Sequence, residues 1–376
     1  MAGPLEGVRI VEMAGIGPGP FCGMMLADHG AEVIRVERPG RAPSDFRDVM
    51  DRSRRSIIVD LKKPEGVEVI RQLCRSADGL IEGYRPGVME RLGLGPDLLL
   101  EDNPKLVFGR MTGWGQTGPL AQAAGHDLNY ISLTGALYSM GRADEKPPIP
   151  LNLVGDFGGG GMMLAFGMVS AILSARATGR GQVIDCAMTE GAALLSAMFF
   201  SLVGSGLWDG SRGTNMLGGA APFYGVYETA DDQFVSLGSI EPQFYAEMLQ
   251  RTGLKDDPDF QHQNDRAFWP VMREKLAAVI KTRTQDQWRT AMEGTDVCFA
   301  PVLSMVDAPS HPHNRARGAF VEAFGVVQPA PAPRYSVTQT VPPTLSPKGA
   351  DAEAVLKSAG LDAGQIAALR AQGVVG

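Results

Sequence analysis

Val8-Arg9-Ile10-Val11-Glu12, then Ala14-Gly15-Ile16-Gly17-Pro18-Gly19-Pro20, then a helical pattern through Met24, Met25 and Leu26, then Glu32-Val33-Ile34-Arg35-Val36-Glu37: this order decides the fold. A β-prone run, a Gly/Pro loop, an apolar helical pattern and a second β-prone run make a β-α-β unit. Outward from it the pattern repeats. Ser56-Ile57-Ile58-Val59 reads as a strand and Pro64 to Ser76 as a helix with Val67, Val69, Ile70 and Leu73 apolar. Gly79-Leu80-Ile81-Glu82 (strand), Gly87 to Leu92 (helix) and Lys105-Leu106-Val107-Phe108-Gly109 (strand) follow. Short strands separated by helices imply an α/β fold with a parallel sheet, right-handed crossovers and ligand loops at the strands' carboxyl ends.

From about 126 to 209 the reading turns mostly helical, interrupted by Val183-Ile184-Asp185. Phe223 to Thr229 and Gln233 to Leu237 then flank Ala230-Asp231-Asp232 as a hairpin, with helical segments around 241–253 and 267–281. Val327 to Pro347 holds too many prolines for regular structure and reads as a wrapping linker, with helices over Asp351–Ser358 and Gln365–Gln372 beyond it. The organisation predicted is a large domain begun by 1–185, a linker helix over 186–224, a small α+β domain over 225–310, and a return linker completing the large domain over 311–376.

Composition narrows the function. The chain has 376 residues, 44% hydrophobic and 20% charged, with Lys+Arg 35 against Asp+Glu 42 for a net charge of −7. That excludes a disordered chain and disfavours nucleic acid or anionic lipid as partners, while leaving room for a local basic patch. Cys22, Cys74, Cys186 and Cys298 are far apart, without metal-ligand spacing, and read as buried thiols of a cytoplasmic protein. The first twelve residues lack the basic and apolar regions of a secretory leader. Two uncharged stretches, Gly158–Ala175 and Gly191–Trp208, reach the edge of membrane-spanning length but are rich in Gly, Ala and Ser. They read as helices buried on all sides of a soluble protein.

The motifs of P-loop nucleotidases, zinc peptidases and α/β-hydrolases are missing from the sequence. The Gly loop after the first strand fails as a dinucleotide site, because Pro18 and Pro20 remove N–H groups that a pyrophosphate needs. Two residues stand out. His126 lies in the small-residue loop Gly118–Gly125, ahead of the helical pattern Leu128–Tyr138, where Asp127 could cap the helix. It could serve as a base or merely satisfy turn carbonyls. Asp156 stands between Leu151-Asn152-Leu153-Val154-Gly155 and four glycines, at the mouth of an uncharged helix, as an N-cap or as a reactive carboxylate. Burial would raise its pKa and a helix N-terminus would lower it, so the sequence leaves the sign open.

Several ordered phrases carry a resemblance: Ile81-Glu82-Gly83-Tyr84-Arg85-Pro86-Gly87-Val88, Met111-Thr112-Gly113-Trp114-Gly115-Gln116-Thr117-Gly118-Pro119, Gly125-His126-Asp127-Leu128-Asn129-Tyr130, Asn152-Leu153-Val154-Gly155-Asp156 and Gly179-Arg180-Gly181-Gln182. Together they resemble the family III CoA-transferase superfamily, and within it most closely the racemases of 2-methylacyl-CoA thioesters. The resemblance implies an interlocked homodimer whose chains each have a Rossmann-like large domain and a smaller domain. It implies that His126 and Asp156 are two bases on opposite faces of the 2-carbon, with Glu241 of the partner subunit orienting the imidazole. CoA is implied to contact Arg38, the Val59-Asp60-Leu61-Lys62 segment, Gly83, Tyr84, Arg85, Arg91, Gly125, Leu128, Asn129 and Tyr130. Arginines and a lysine suit phosphates.

Inverting a carbon by removing a proton from one face and returning one to the other requires two acid/base groups. The thioester carbonyl delocalises the charge, so an oxyanion site is needed, for which backbone N–H groups around Asp127 are candidates, and no metal or separate cofactor is needed. Met188 and Met216 are candidates for an adaptable surface under the moving acyl group. The rival within the superfamily is a CoA-transferase with Asp156 as nucleophile, a chemistry that has no use for His126 as a second base. The acyl chain is not legible.

Overall fold

The structure is a computed structural model describing residues 3–40 and 48–376. The chain divides into two compact units, one from Met1–Gly135, Pro150–Ala197 and Gly318–Gly376, the other from Ala136–Ile149 and Met198–Arg317.

The first unit is a six-stranded parallel sheet. Its strands are β1 (Arg9–Met13), β2 (Glu32–Glu37), β3 (Arg55–Ile58), β4 (Gly79–Glu82), β5 (Val107–Thr112) and β6 (Gln182–Ala187), in the order β3-β2-β1-β4-β5-β6. Successive side chains go to opposite faces. Val11, Ile34, Leu80 and Phe108 join one buried core, and Ile10, Val33, Ile81 and Val107 join another. Two apolar faces need two helical layers. Helices α1 (Pro18–Asp28) and α7 (Met163–Thr178) cover one face. On the other lie α2 (Pro64–Cys74) and α4 (Pro96–Asp102), with the short α3 (Val88–Arg91) leading into α4. The chain's last helices, α14 (Ala352–Ser358) and α15 (Ala363–Ala371), join that second layer. The returning segment is tied down by polar contacts: Ser56 N–H donates to Asp351 at 2.8 Å, and buried Arg52 joins Asp28 to Gln328 and the Pro329 carbonyl.

Three further helices belong to the middle of the chain: α5 (Asp127–Ser132), α6 (Ala136–Ser139) and, after β6, α8 (Met188–Leu195). The second unit begins its long passage with α9 (Ala197–Gly204) and builds an antiparallel sheet from β7 (Tyr224–Glu228), β8 (Phe234–Gly238) and β9 (Phe299–Val302). Helices α10 (Pro242–Thr252), α11 (Trp269–Ile280) and α12 (Gln285–Met292) pack on it around Trp288, Phe223 and Phe260, and α13 (Pro312–Arg317) ends the unit.

Several expectations are corrected. The Leu128–Tyr138 pattern is not one helix, because Gly135 at φ 82° separates α5 from α6. Residues 186–224 hold the end of β6, α8, α9 and a 3-10 turn instead of one linker helix, because β6 needs its last residues to pair with Met111 and Thr112. The Pro-rich segment contributes regular structure: β11 (Val326–Pro329) pairs with β10 (Phe320–Ala323), with Pro329 at the strand's end. The uncharged helices are buried on one side only in the single chain, as Phe166, Leu173 and Leu194 are exposed. Cys22 and Cys74 are buried, but Cys186 is half-buried and Cys298 exposed.

Candidate active site

The strand order reverses between β1 and β4, and ligands bind outside the carboxyl ends of strands at such a point. A cavity of about 1320 Å³ lies there, larger than the usual range for a drug-sized ligand. Its wall takes Ala14–Pro20 from the end of β1, Glu37–Gly40 from β2, Ile81–Pro86 from β4 and Met111–Trp114 from β5. Gly125, His126, Asn129, Tyr130, Asn152, Asp156 and Met188 complete it.

His126 precedes the first residue of α5, and its N–H donates to the Asn129 side-chain oxygen at 3.0 Å. Tyr130 pins the loop in front: its hydroxyl donates to the Gly125 carbonyl and its ring stands edge-on to Trp114, centroids 4.8 Å apart. The helix is therefore capped by Asn129, and Asp127, expected as the cap, does something else. Buried Asp127 accepts the Asp156 backbone N–H at 2.6 Å, and its other oxygen has no hydrogen-bond partner among the described residues.

Asn152, not Asp156, is at the N-cap position of the helix, and Asp156 stands in its first turn. It lies inside a π-helical segment, Leu153–Met162, that runs straight into α7. The Phe157 N–H reaches back five residues to the Asn152 carbonyl at 3.3 Å, the bond that defines this wider turn. The four glycines explain how the segment is seated. A Cβ on Gly159 would stand 2.6 Å from the Ala192 nitrogen, and one on Gly191 would stand 1.8 Å from the Gly159 oxygen, so segment and α8 meet backbone to backbone. Asn152 donates its side-chain N–H to Asp156 Oδ2 at 3.2 Å. The sign left open by the sequence is now fixed: burial raises the Asp156 pKa, the Asp127 charge adds to the rise, and Asn152 and His126 oppose it without cancelling it.

Of the residues expected at CoA, Arg38, Gly83, Tyr84, Arg85, Gly125, Asn129 and Tyr130 share the cavity wall. The Arg38 guanidinium lies over the Tyr84 ring, 5.2 Å from its centroid. Under this loop, buried Glu82 accepts the Tyr84 N–H at 2.7 Å and pairs with Arg110 at 3.0 Å, and Arg110 reaches on to Glu90. Val59, Asp60, Leu61, Lys62, Arg91, Asp127 and Leu128 are not in the wall. Val59 is buried and bridges to Val375, Asp60 donates its N–H to the Val374 carbonyl, and Arg91 closes α3. Glu241 and Met216 belong to the second unit, Glu241 at the start of α10 and Met216 in a 3-10 turn, whereas Met188 lines the cavity.

Sequence reasoning passed over Ile16, Gly17 and Asn152 as site residues. The first two were legible as a Gly/Pro loop at a strand's carboxyl end, discarded for failing one nucleotide pattern. Asn152 carried no signal of its own, since its contact depends on the π-turn. Among the described residues no group of three or more His, Cys, Asp or Glu could hold a metal ion.

Fold and site thus define an α/β protein with a large ligand cavity where the strand order reverses, lined by the His126 imidazole and by the Asp156 carboxylate with its raised pKa. Residues 5–352 match CoA-transferase family III, and the chain belongs to that family. The α-methylacyl-CoA racemase of Mus musculus is 48% identical over 339 residues, covering 90% of this chain and 88% of its own. The α-methylacyl-CoA racemase of Homo sapiens is 45% identical over the same shares. Among solved structures, a CaiB/BaiF family protein from Brucella suis superposes with a TM-score of 0.83 at 25% identity, covering 96% of this chain and all of its own.

Proposed function

We propose that the chain interconverts (2R)- and (2S)-2-methylacyl-CoA by 1,1-proton transfer, with His126 and Asp156 as the two bases. It is an isomerase acting on CoA thioesters, in keeping with its racemase relatives. The observation that carries the residue assignment is the single cavity wall holding both side chains, with the Asp156 carboxyl raised toward the range of a usable acid/base. One base takes the 2-proton, the thioester carbonyl holds the charge as an enolate, and the other base returns a proton to the opposite face. Backbone N–H groups at Asp127 are proposed to receive the enolate oxygen. CoA lies against Arg38 and Gly83–Arg85, with Asp60–Lys62 and Arg91 farther along its length, while buried Val59 supports that segment from beneath. It is part of the substrate, and the reaction draws on no resident cofactor.

The reading includes an interlocked, cytoplasmic homodimer in which Glu241 of one subunit orients His126 of the other. Unpartnered apolar side chains on α7 and α9 support the dimer.

Proton NMR of the purified protein with one epimer of a 2-methylacyl-CoA in D2O, with an acceptor acid in a parallel tube, tests the function. Loss of the 2-proton with formation of both epimers is expected. Persistence of that proton while CoA moves to the acceptor would replace the reading with a transferase using Asp156 as nucleophile.

A further inference from the structure

We infer that Asn152 is a positioning residue for Asp156, fixing which carboxylate oxygen carries the transferred proton. The inference rests on the reading of Asp156 as one of the two bases. Asn152 has two hands on that residue's turn. Its carbonyl closes the wide turn by accepting the Phe157 N–H, and its side-chain N–H holds Asp156 Oδ2 at 3.2 Å. Gly17, at φ 68°, leaves that oxygen its space: a Cβ there would stand 3.1 Å from Oδ2 and crowd it. Oδ2 is therefore engaged by the amide, and Oδ1, which the amide does not hold, is left to exchange protons.

The residue before Asn152 shows that this turn is held against a cost. Leu151 adopts φ 56°, a left-handed conformation that a leucine rarely takes, and its side chain is 57% exposed, so its own burial offsets little of the strain. Strain of this kind persists where the surroundings over-determine it. Here it turns the chain so that Asn152 points back to Asp156.

An amide suits the task because it does not titrate. A racemase base must work ionised in one direction and protonated in the other. When Asp156 is ionised, the Asn152 N–H stabilises the charge on Oδ2. When Asp156 is protonated, the same N–H keeps Oδ2 as the carbonyl oxygen, so the proton stays on Oδ1 in both directions. A titrating side chain here would add a charge change of its own to each half of the cycle.

The test compares full-length wild type, Asn152→Ala, Asn152→Asp and Asp156→Ala, with a 2-methylacyl-CoA as substrate, for racemisation against pH and deuterium wash-in from each epimer. The charged or titratable groups acting on Asp156 are Asp127 and His126, with Tyr130 nearby. Asn152→Ala is expected to lower kcat/KM roughly ten- to hundredfold, the loss of one hydrogen bond to a charged group, with KM within about twofold. The acid limb of its pH profile moves to higher pH, because the ionised carboxylate has lost its donor. Asn152→Asp, of the same shape, moves the limb further in the same direction, and it decides the matter should the alanine variant fail to fold. Wild-type limbs in both variants, with Asp156→Ala still suppressing wash-in from one epimer, would overturn this inference alone. An Asp156→Ala protein that exchanges both epimers normally would overturn the two-base reading as well.

Discussion

At the scale of single residues the site trades stability for chemistry. Asp156 is half-buried, and the raised pKa means that the folded state binds its proton more tightly than the unfolded chain does. The stabilisation this brings is full below the unfolded-state pKa and is lost as pH rises through the folded-state value, so near neutral pH the ionised carboxylate weighs against the fold. Asp156→Asn removes that charge while keeping the shape. It is expected to abolish racemisation yet stabilise the fold by about 1 kcal/mol at pH 7, the gain fading as pH falls toward the carboxylate range. Thermal unfolding of both proteins across pH checks it, and an equal gain at pH 4 and pH 7 would sink the explanation. Asp156 was legible because an acid between an apolar run and four glycines poorly suits a solvated charge, and His126 because its small-residue loop lets a ligand approach. The partner of Asp127 was not legible, since its contact with the Asp156 N–H spans 29 positions and depends on how the π-turn is seated.

At the scale of elements the unusual piece is the π-helical segment with its glycines. The short apolar runs of the central strands, buried on both faces, and the apolar spacing of α2 could be read directly, because both follow from local sequence. The π-turn could not, since four consecutive glycines favour no regular helix on their own, and the segment is held by its neighbours α1 and α8. Contact at Gly191 is the most demanding, with room for no side chain against the Gly159 oxygen. Gly191→Ala is expected to push the segment away from α8, costing roughly 1–3 kcal/mol in stability and lowering kcat by displacing Asp156. Chemical denaturation and steady-state kinetics read both effects. Normal kcat in a destabilised variant would mean that the segment's seat and the position of Asp156 are independent. The β10–β11 hairpin escaped the sequence for the opposite reason: prolines argue against a strand interior but tolerate its end.

At the scale of the whole molecule, the exposed apolar surface needs an explanation. Leu153–Thr178 is long and apolar enough to cross a membrane by length and composition alone. Its pattern argues otherwise. Met162, Phe166, Val169 and Leu173 are exposed at spacings of three and four, a stripe along one side, while Leu164, Ala165, Met168 and Ile172 are buried against the sheet. A helix in lipid has no need of one packed side continuous with a protein core, and its start here carries the carboxylate of Asp156 on the wall of the ligand cavity. A stripe of this kind marks a protein contact, which the proposed homodimer supplies. Light scattering without detergent is expected to give twice the monomer mass. Phe166→Glu combined with Leu173→Glu places two charges on the stripe; it should weaken the dimer by about 2 kcal/mol or more, over tenfold in dissociation constant. Activity should fall with the dimer, because the proposed Glu241 of the partner subunit would then no longer reach His126. A wild-type monomer with full activity, or a variant that dissociates without losing turnover, would leave each chain's cavity sufficient by itself and remove the reason for placing Glu241 there.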